Sequence, residues 1–554
     1  MGQGARNDDE SLAGGNPSGA ARRFIGRLQA TLYEGACFAA LGQVLDDLPE
    51  IEAECATLEP ELQAELCAFV LLSIWCSGSM RDRLASWAAR AHSVLAAGAT
   101  PAARVLVGSA LISHHTLEGS LAEAEAVRRV TAGLADQEPG VAASVAFDLA
   151  SARLDVLTGD ARAAARSVER GLERLDRAGL HFWRDSLVST ALPIALTLGD
   201  PARAERHLAT MNELASRGRT IDIGNSFYGA ALLAVHRGDW LSADALAARA
   251  REHADALGFP AVQALSRALT ATCRLRLGQR AEARDLMALA HGIEGVPRAW
   301  PGLLSLIEAS WDDPPRPELL RSGFGGLRAA GTAGVYALIR SSDLARLCAA
   351  ALCHGIEPEH VQRVIRKNDL VPPDPSAAGW PWRLELRVLG GLRIAPAPSW
   401  GRKRPHMPLA LLELLAHRGR SLDRRVPHEQ LIDALWPDAE GDAARHSLEV
   451  ATHRLRKLLG DASTVVVDRD GVGLDPARTW VDLWQLEAVI ADEPSPERQQ
   501  RIVELYQGPP TLPLPRAFER SMARALWGAS AEVWAKLANA DPSLRRRLES
   551  VSHR

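Results

Sequence analysis

The stretch 444–460 reads ARHSLEVATHRLRKLLG and combines helical spacing with two histidines, three arginines and a lysine. On a helix, one narrow stripe collects Leu448, Thr452, Leu455 and Leu459, with Ala451 and Leu458 at its edge. Such a stripe is typical of a side that packs against a core. The opposite side carries charged and hydrogen-bonding side chains, so the two sides of this helix predict two different roles.

The polar side has the residue types that a helix needs to contact DNA. Arginine and lysine neutralise phosphates, and polar side chains can bond to base edges in the major groove. The candidate DNA-binding residues are Arg445, His446, Glu449, Val450, His453, Arg454 and Lys457. The alternative is a hydrated surface helix that binds nothing, because most charged helix faces only meet solvent.

The elements predicted around this helix favour the DNA-binding interpretation. Alternating apolar residues at 384, 386 and 388 predict a strand, and a Gly-Gly turn leads to a second strand. The further elements are predicted helices over 406–417, 428–436 and 442–459, and a hairpin at the pair Asp470-Gly471. Arg469 lies at the predicted hairpin tip, where it can reach a minor groove. This order predicts a winged helix-turn-helix.

The first half of the chain shows a repeat of about forty residues. The glycines that recur are Gly78, Gly119, Gly159, Gly199, Gly238 and Gly278, and the alanines five positions after them are Ala124, Ala164, Ala204, Ala243 and Ala283. Glycine ends a helix in the left-handed conformation, and Asp160, Asp200 and Asp239 can cap the next one. The pattern predicts an α-solenoid of tetratricopeptide type, with a non-repetitive helical domain as the alternative.

The sequence therefore predicts a mainly α protein in which a tetratricopeptide-like solenoid precedes a winged helix-turn-helix and a short helical segment. The predicted boundaries are a disordered tail over 1–20, repeats over 21–293, an irregular helical cap over 294–369, a Pro-rich linker over 370–382, a winged helix over 383–480 and a final segment over 481–554. The proline cluster of the linker stiffens it and marks the main boundary.

Composition narrows the class of protein. The chain of 554 residues has a net charge of −4, so any nucleic-acid surface must be local. Seven cysteines without a CxxC pair predict buried free thiols in a reducing cytoplasm. No apolar run approaches the roughly 18 residues of a membrane span, so no membrane partner is expected.

Motifs for catalysis and cofactor binding are incomplete. No GxxxxGK[ST] phosphate loop occurs, and His428-Glu429 meets Ile432 where a zinc protease needs histidine. The pair His114-His115 is interpreted as ordinary packing or surface, and Gly323 and Gly325 lack the third glycine of a dinucleotide fingerprint. We therefore expect a protein that is not an enzyme, with no catalytic residue, no metal ligand and no cofactor.

Four segments together resemble the OmpR/PhoB-type winged helix of SARP-like bacterial transcriptional activators. They are LRVLGGLRI, LALLELLAHRGRSLDRRVPHEQLIDALWPD, ARHSLEVATHRLRKLLG and WVDLWQLEAVI, and the resemblance in their spacing and order covers 383–482. RIVELYQGPPTLP and a helix predicted over 516–540 resemble a shortened bacterial transcriptional activator domain. The repeats resemble the equivalent part of large maltose-activator-type (STAND) regulators, without their ATPase.

This resemblance implies a function and a set of partners. It implies that 445–457 is the recognition helix and that the loop Trp436, Pro437, Asp438 and Glu440 contacts RNA polymerase. The expected partners are double-stranded promoter DNA, RNA polymerase, an effector or protein at the repeats, and a second copy of the chain. Two other hypotheses stay open: a repeat adaptor whose winged helix no longer binds DNA, and an enzyme with a site in the solenoid groove.

Overall fold

The computed structural model describes residues 17–552 apart from 36, 97–98, 138, 181–182, 335–337, 375, 399–404, 420–424, 440 and 494. The chain divides into two compact units, Met1–Leu370 and Val371–Arg554.

The first unit is built from helices in its described part. They are α1 (Pro17–Glu34), α2 (Ala39–Leu45), α3 (Leu48–Glu54), α4 (Pro60–Ser77), α5 (Leu84–Ala96), α6 (Pro101–Glu118), α7 (Leu121–Ala135), α8 (Val141–Thr158), α9 (Ala161–Ala178), α10 (Arg184–Thr197), α11 (Pro201–Ala215), α12 (Thr220–Arg237), α13 (Trp240–Leu257), α14 (Pro260–Arg276), α15 (Arg280–His291), α16 (Trp300–Ala309), α17 (Pro317–Ala329), α18 (Ser341–Cys353) and α19 (Pro358–Lys367).

Glycines in the left-handed conformation separate the two helices of each repeat. The six predicted capping glycines all have φ between 72° and 85°, at Gly78, Gly119, Gly159, Gly199, Gly238 and Gly278. A residue with a Cβ is strained at such φ values, so glycine ends the first helix and lets the chain reverse. The helices consequently pair as α4 with α5, α6 with α7, and so on to α14 with α15. The predicted tetratricopeptide-like repeat is confirmed.

Capping and close packing hold each pair together. The carboxylates of Asp160, Asp200 and Asp239 accept a hydrogen bond from the backbone amide three residues later, at 2.8, 2.9 and 3.2 Å. The recurring alanines have no exposed surface, at Ala124, Ala164, Ala204, Ala243 and Ala283. Each alanine lies on the second helix of its pair, where a larger side chain would push the two helices apart. Both predictions from the repeat pattern are therefore confirmed.

Two predictions for the first unit need correction. The tail predicted over 1–20 overlaps α1, which begins at Pro17 because proline suits the first helical turn and Ala20 and Phe24 are buried. Residues 1–16 lie outside the described residues. Two of the thiols expected to be buried, Cys37 and Cys353, are exposed because they lie at helix ends and not in a packed stripe.

The second unit combines short strands with helices. Its elements are β1 (Leu384–Arg387), β2 (Arg393–Ala395), α20 (His406–Arg418), α21 (His428–Leu435), α22 (Gly441–Leu459), β3 (Val465–Val467), β4 (Val472–Leu474), β5 (Thr479–Val481), α23 (Asp482–Ala491), α24 (Pro496–Leu505), α25 (Arg516–Ala525), α26 (Ala531–Ala540) and α27 (Leu544–Ser552). Strand β1 pairs antiparallel with β2 and parallel with β5, and β3 pairs antiparallel with β4.

The elements predicted for this unit occur in the predicted order, with two differences, and β5, α23, α24 and α27 are additional. In the β3–β4 hairpin the turn residues are Arg469 and Asp470, one position before the predicted pair, because the Asp468 carboxylate accepts hydrogen bonds from the amides of Asp470 and Gly471. The single helix predicted over 516–540 is two helices, separated at Gly528, whose φ is 75°.

One hydrophobic core runs through the whole second unit. It includes Leu386 of β1, Leu412 of α20, Leu455 of α22, Leu486 of α23 and Met522 of α25. The predicted winged helix over 383–480 and the predicted final segment over 481–554 consequently share a core. We therefore expect the two segments to unfold together.

Asp482 joins the sheet to the helices that follow it. Its buried carboxylate accepts hydrogen bonds from the amides of Val388 and Leu389, at the end of β1, and of Leu483. Burial raises the pKa of this carboxyl to about 6, against the lowering effect of the three amides. Three otherwise unpaired amides thus find an acceptor at the point where α23 begins.

The repeat packing gives a test on α11. Ala204→Trp inserts a large side chain where there is no exposed surface, and we expect a loss of at least about 1–3 kcal/mol in the free energy of unfolding. Urea unfolding followed by circular dichroism measures this loss. Ala209→Trp makes the same change at an exposed position of α11 and should leave the midpoint nearly unchanged. Equal midpoints for the two variants would show that the repeat register is wrong.

Candidate functional site

Helix α22 has the two sides that the sequence predicts. Its buried side consists of Ala444, Leu448, Ala451, Thr452 and Leu455, and the core also contacts the half-buried Leu459. The Arg456 guanidinium donates to the Val465 carbonyl of β3 at 2.8 and 3.2 Å, which fixes the helix against the hairpin. The helix is therefore held on one side only.

The candidate DNA-binding residues lie on the other side of α22. Six of them are exposed, namely Arg445, His446, Glu449, His453, Arg454 and Lys457, and Val450 is half-buried. Three of the six are cationic at neutral pH and one is anionic, so the excess of positive charge is small. The structure thus brings the predicted residues to one exposed surface without making that surface strongly basic.

The hairpin presents Arg469 to solvent. Its base is held by a short pairing with Val426, two positions before α21, because the amides and carbonyls of Val426 and Val472 exchange hydrogen bonds of 2.9 and 3.1 Å. A Cβ at Gly471 would meet the Val426 carbonyl at 2.1 Å, so only glycine allows this approach. The Arg425–Asp468 ion pair of 3.0 Å adds a second link at the same place.

The loop predicted to contact RNA polymerase is partly internal. Trp436 is half-buried and packs against the core, whereas Pro437 and Asp438 are exposed. Glu440 lies outside the described residues. Trp436 therefore contributes to the core, and the polymerase contact of this loop stays a prediction.

The first unit contains a cavity that no sequence motif indicates. Helices α4, α6, α8, α10, α12 and α14 each contact the next one in this order and form the inner layer of the solenoid. They form most of the wall of a cavity of about 420 Å³, which we call the central cavity. Its apolar wall includes Phe69, Trp75, Leu106, Leu149 and Leu265. The size lies in the range of small-molecule sites, which are usually apolar with a few polar groups.

Residues far apart in sequence close the solenoid around this cavity. The rings of Tyr33 and Trp183 meet edge to face at 6.2 Å, and the Phe38 amide donates to the Leu257 carbonyl at 2.6 Å. The Arg81 guanidinium donates to the Gly295 carbonyl at 2.6 Å. The first helices therefore contact the start of α10 and the last repeats, and all of these contribute to the cavity wall.

Polar groups in the cavity are concentrated on two helices. Helix α10 lines it with a row of hydroxyls from Ser186, Ser189, Thr190 and Thr197, and α12 adds Asn225 and Tyr228. Ser189, Thr190 and Thr197 donate their hydroxyls to carbonyls of α10 itself, so these three groups can accept hydrogen bonds from a bound molecule. Helix α4 supplies mostly apolar surface, and α6 supplies both apolar and polar residues. The cavity is thus amphipathic across its width.

Histidine 114 lies in the cavity wall in its neutral form. The Trp75 indole donates to its Nδ1 at 3.3 Å. Burial, together with nearby His115, His92 and Arg81, lowers the pKa of His114 to about 4. Next to it, His115 and His92 contact each other through their Nε2 atoms at 2.9 Å. The pair His114-His115 therefore contributes to packing and hydrogen bonding, which agrees with its interpretation from the sequence.

Two absences concern the described part of the chain. Among its residues, no three His, Cys, Asp or Glu side chains come together in a group that could hold a metal ion. None of its helices combines the length and the apolar character needed to cross a membrane.

A signal for the cavity is present in the sequence, although it is weak. The inner helices α4, α6 and α8 are apolar around most of their circumference, whereas α9 and α15 show a single apolar stripe. A helix that is apolar all round is usually buried on every side. Sequence alone cannot distinguish complete burial from contact with an internal cavity, and for that reason the site was not predicted.

Comparison with known proteins gives no family assignment. No family model and no curated protein matches the chain. Similar solved structures include a Rap protein complexed with competence and sporulation factor, at 11% identity over 64% of this chain and 98% of that one, with a TM-score of 0.46. Another is the apo form of the quorum sensor NprR from B. thuringiensis, at 11% identity over 64% of this chain and 99% of that one, with a TM-score of 0.37. At these values neither match assigns a ligand to this chain.

The lowered pKa of His114 predicts a pH dependence of stability. An unfolded histidine takes up a proton near pH 6.5, whereas folded His114 resists protonation down to about pH 4. Stability is therefore complete above about pH 6.5 and falls as the pH drops towards 4, by at most about 3 kcal/mol from this residue. Urea unfolding at several pH values measures the slope.

Because His207 and His360 also have pKa values lowered to about 4 by burial, the test compares variants. His114→Gln keeps an acceptor for the Trp75 indole and removes the titration, so its unfolding free energy should depend less on pH. His236→Gln, at an exposed position, should retain the full dependence. A His114→Gln slope equal to that of the unmodified chain would contradict the assigned role of His114.

Proposed function

We propose that the chain is a helical-repeat binding protein without catalytic activity, an adaptor or regulator whose first unit holds a partner molecule or segment in the central cavity. The observation that carries this proposal is the cavity of about 420 Å³ inside the inner layer of helices. Repeat proteins commonly use their concave surface for binding, because stacked helices present a continuous wall there.

The construction of the wall supports a binding role. Most of its lining comes from helices, so a bound molecule meets many side chains whose positions are fixed by packing. Apolar surface on α4 and α6 supplies affinity through burial, and the hydroxyl and amide groups of α10 and α12 supply orientation. A fold that needed only stability would gain by filling this space.

An uncharged apolar dye tests the proposal in the full chain. We expect N-phenylnaphthylamine to bind with increased fluorescence, since apolar dyes report dry apolar sites. Ala110→Trp adds a large side chain at a half-buried position of α6 that lines the cavity, and it should abolish most of this binding. Fluorescence titration measures both.

The matched control makes the same change outside the cavity. Ala126→Trp lies at an exposed position of α7 and should leave dye binding unchanged. If Ala110→Trp and Ala126→Trp bind the dye as the unmodified chain does, the dye lies elsewhere and the cavity has no binding role.

DNA binding by the second unit is a second candidate function, favoured by the exposed polar side of α22. In this candidate, residues 383–480 are a winged helix-turn-helix, α22 lies in the major groove of promoter DNA, and the β3–β4 hairpin is the wing that carries Arg469. The loop at Asp438 then faces RNA polymerase, and a second copy of the chain can occupy an adjacent half-site. The chain becomes a transcriptional regulator whose repeats receive the signal.

The two sides of α22 give the test of this candidate. Lys457→Ala removes one exposed charge, so stability should change by no more than about 0.5 kcal/mol while the salt slope of DNA binding falls by about one. Leu455→Ala removes a fully buried side chain and should cost about 2–5 kcal/mol of stability. Fluorescence anisotropy of a labelled duplex from the promoter of the chain's own gene, at several salt concentrations, measures binding.

Arg520→Ala serves as the control, because it removes one exposed positive charge from α25 and leaves α22 intact. It should keep the salt slope of the unmodified chain. If both Lys457→Ala and His453→Ala keep the DNA affinity and the salt slope of the unmodified chain, α22 faces solvent and does not contact DNA. The chain would then be better described as an adaptor without DNA binding.

A further inference from the structure

We propose that the occupant of the central cavity is a small apolar molecule that carries one anionic group, and that the guanidinium of Arg153 binds this group. The inference rests on the proposed binding role of the first unit and names the class of ligand. Its basis is the distribution of charge along α8 and around the cavity.

Helix α8 carries three charged residues, Asp148, Arg153 and Asp155, and of these only Arg153 lines the cavity. Asp148 is buried and forms ion pairs with Arg170 and Arg174 of α9. Asp155 is buried and forms an ion pair with Arg128 of α7. Each aspartate is thus neutralised by the outer layer of helices.

Arg153 has no such neutralisation. Its half-buried side chain lines the cavity, and no carboxylate of a described residue lies within ion-pair distance of it. Its positive charge acts to lower the pKa of the neighbouring Cys76 thiol. Burial outweighs this effect and raises that pKa to about 12. A guanidinium beside apolar surface and without a counter-ion is costly unless an anion joins it.

The other charged groups of the wall do not supply that anion. Arg219 lies 3.9 Å from Asp185 and 3.5 Å from Asp222, so this second cavity arginine already has carboxylates beside it. His114 is neutral at physiological pH for the reasons given above. The described wall therefore holds one positive charge without a partner, on Arg153.

The remaining surface defines the body of the ligand. Trp75, Leu106 and Leu149 offer apolar contact, and an anionic group at Arg153 can form the paired hydrogen bonds that guanidinium makes with carboxylates and related oxyanions. A volume of about 420 Å³ suits a molecule of drug-like size. An aliphatic or aromatic acid fits both the volume and the single charge.

Two dyes of similar shape separate the charge from the apolar contact. Anilinonaphthalene sulfonate has an apolar body and one anionic group, whereas N-phenylnaphthylamine lacks the charge. Arg153→Met keeps much of the apolar stem and removes the guanidinium. In the full chain we expect this variant to bind the sulfonate at least about tenfold more weakly, because hydrogen bonds to a charged group are lost. It should bind the uncharged dye as before, which also shows that it is folded.

The control variant is Arg129→Met, which removes an exposed arginine of α7 outside the cavity and should leave both affinities unchanged. Equal sulfonate affinity for Arg153→Met and the unmodified chain would overturn the role of Arg153 and leave the binding role of the cavity in place. If Ala110→Trp reduces the binding of neither dye, both the proposed binding function of the cavity and the role of Arg153 are contradicted.

Competition identifies the kind of occupant. Decanoate should displace the sulfonate dye from the unmodified chain, and decanol, which has the same chain length without the charge, should do so less well. Displacement by an acidic decapeptide but not by decanoate would overturn the assignment to a small molecule in favour of a peptide segment.

Discussion

The contact between two antiparallel helices at a fully buried alanine is the constraint on which the first unit depends. At Ala204 and its counterparts, no side chain larger than a methyl group separates the second helix of the pair from its neighbours. The left-handed glycine before it reverses the chain within a few residues, so the spacing and tilt of each pair are repeated along the solenoid. Stacking of such pairs places the inner helices along a common space.

Local chemistry is what the sequence predicts well. A capping glycine, a capping aspartate and a buried alanine each act within one turn of chain, so their spacing indicates the repeat directly. The two sides of α22 follow in the same way from helical periodicity. The central cavity depends instead on contacts such as Tyr33 with Trp183 and Arg81 with Gly295, between residues that no periodic pattern relates. Its polar and charged lining was therefore not predicted, although every lining residue is visible in the sequence.

In the second unit, too, some contacts could not be predicted from the sequence pattern. The order of strands and helices was predicted, but the hairpin turn lies one residue earlier because the Asp468 carboxylate holds the amides of Asp470 and Gly471. Likewise Asp482, in the WVDLWQLE segment, is a buried acceptor for three amides, a role that its position in the sequence does not indicate. In both cases a carboxylate accepts hydrogen bonds from backbone amides that would otherwise be unpaired. This requirement, and not the spacing of apolar residues, decides the local structure.

The closure of the solenoid has a consequence for how the first unit folds. In an open array of repeats, each pair contacts only its neighbours, so folding can start anywhere and spread along the chain. Here the hydrogen bond from Arg81 to the Gly295 carbonyl joins residues 214 positions apart. This contact stabilises the fold only after the repeats between the two residues have formed, because until then the entropic cost of closing the long intervening loop opposes it. We therefore expect the contacts between the two ends of the repeat array to form late in folding, and the cavity to form with them.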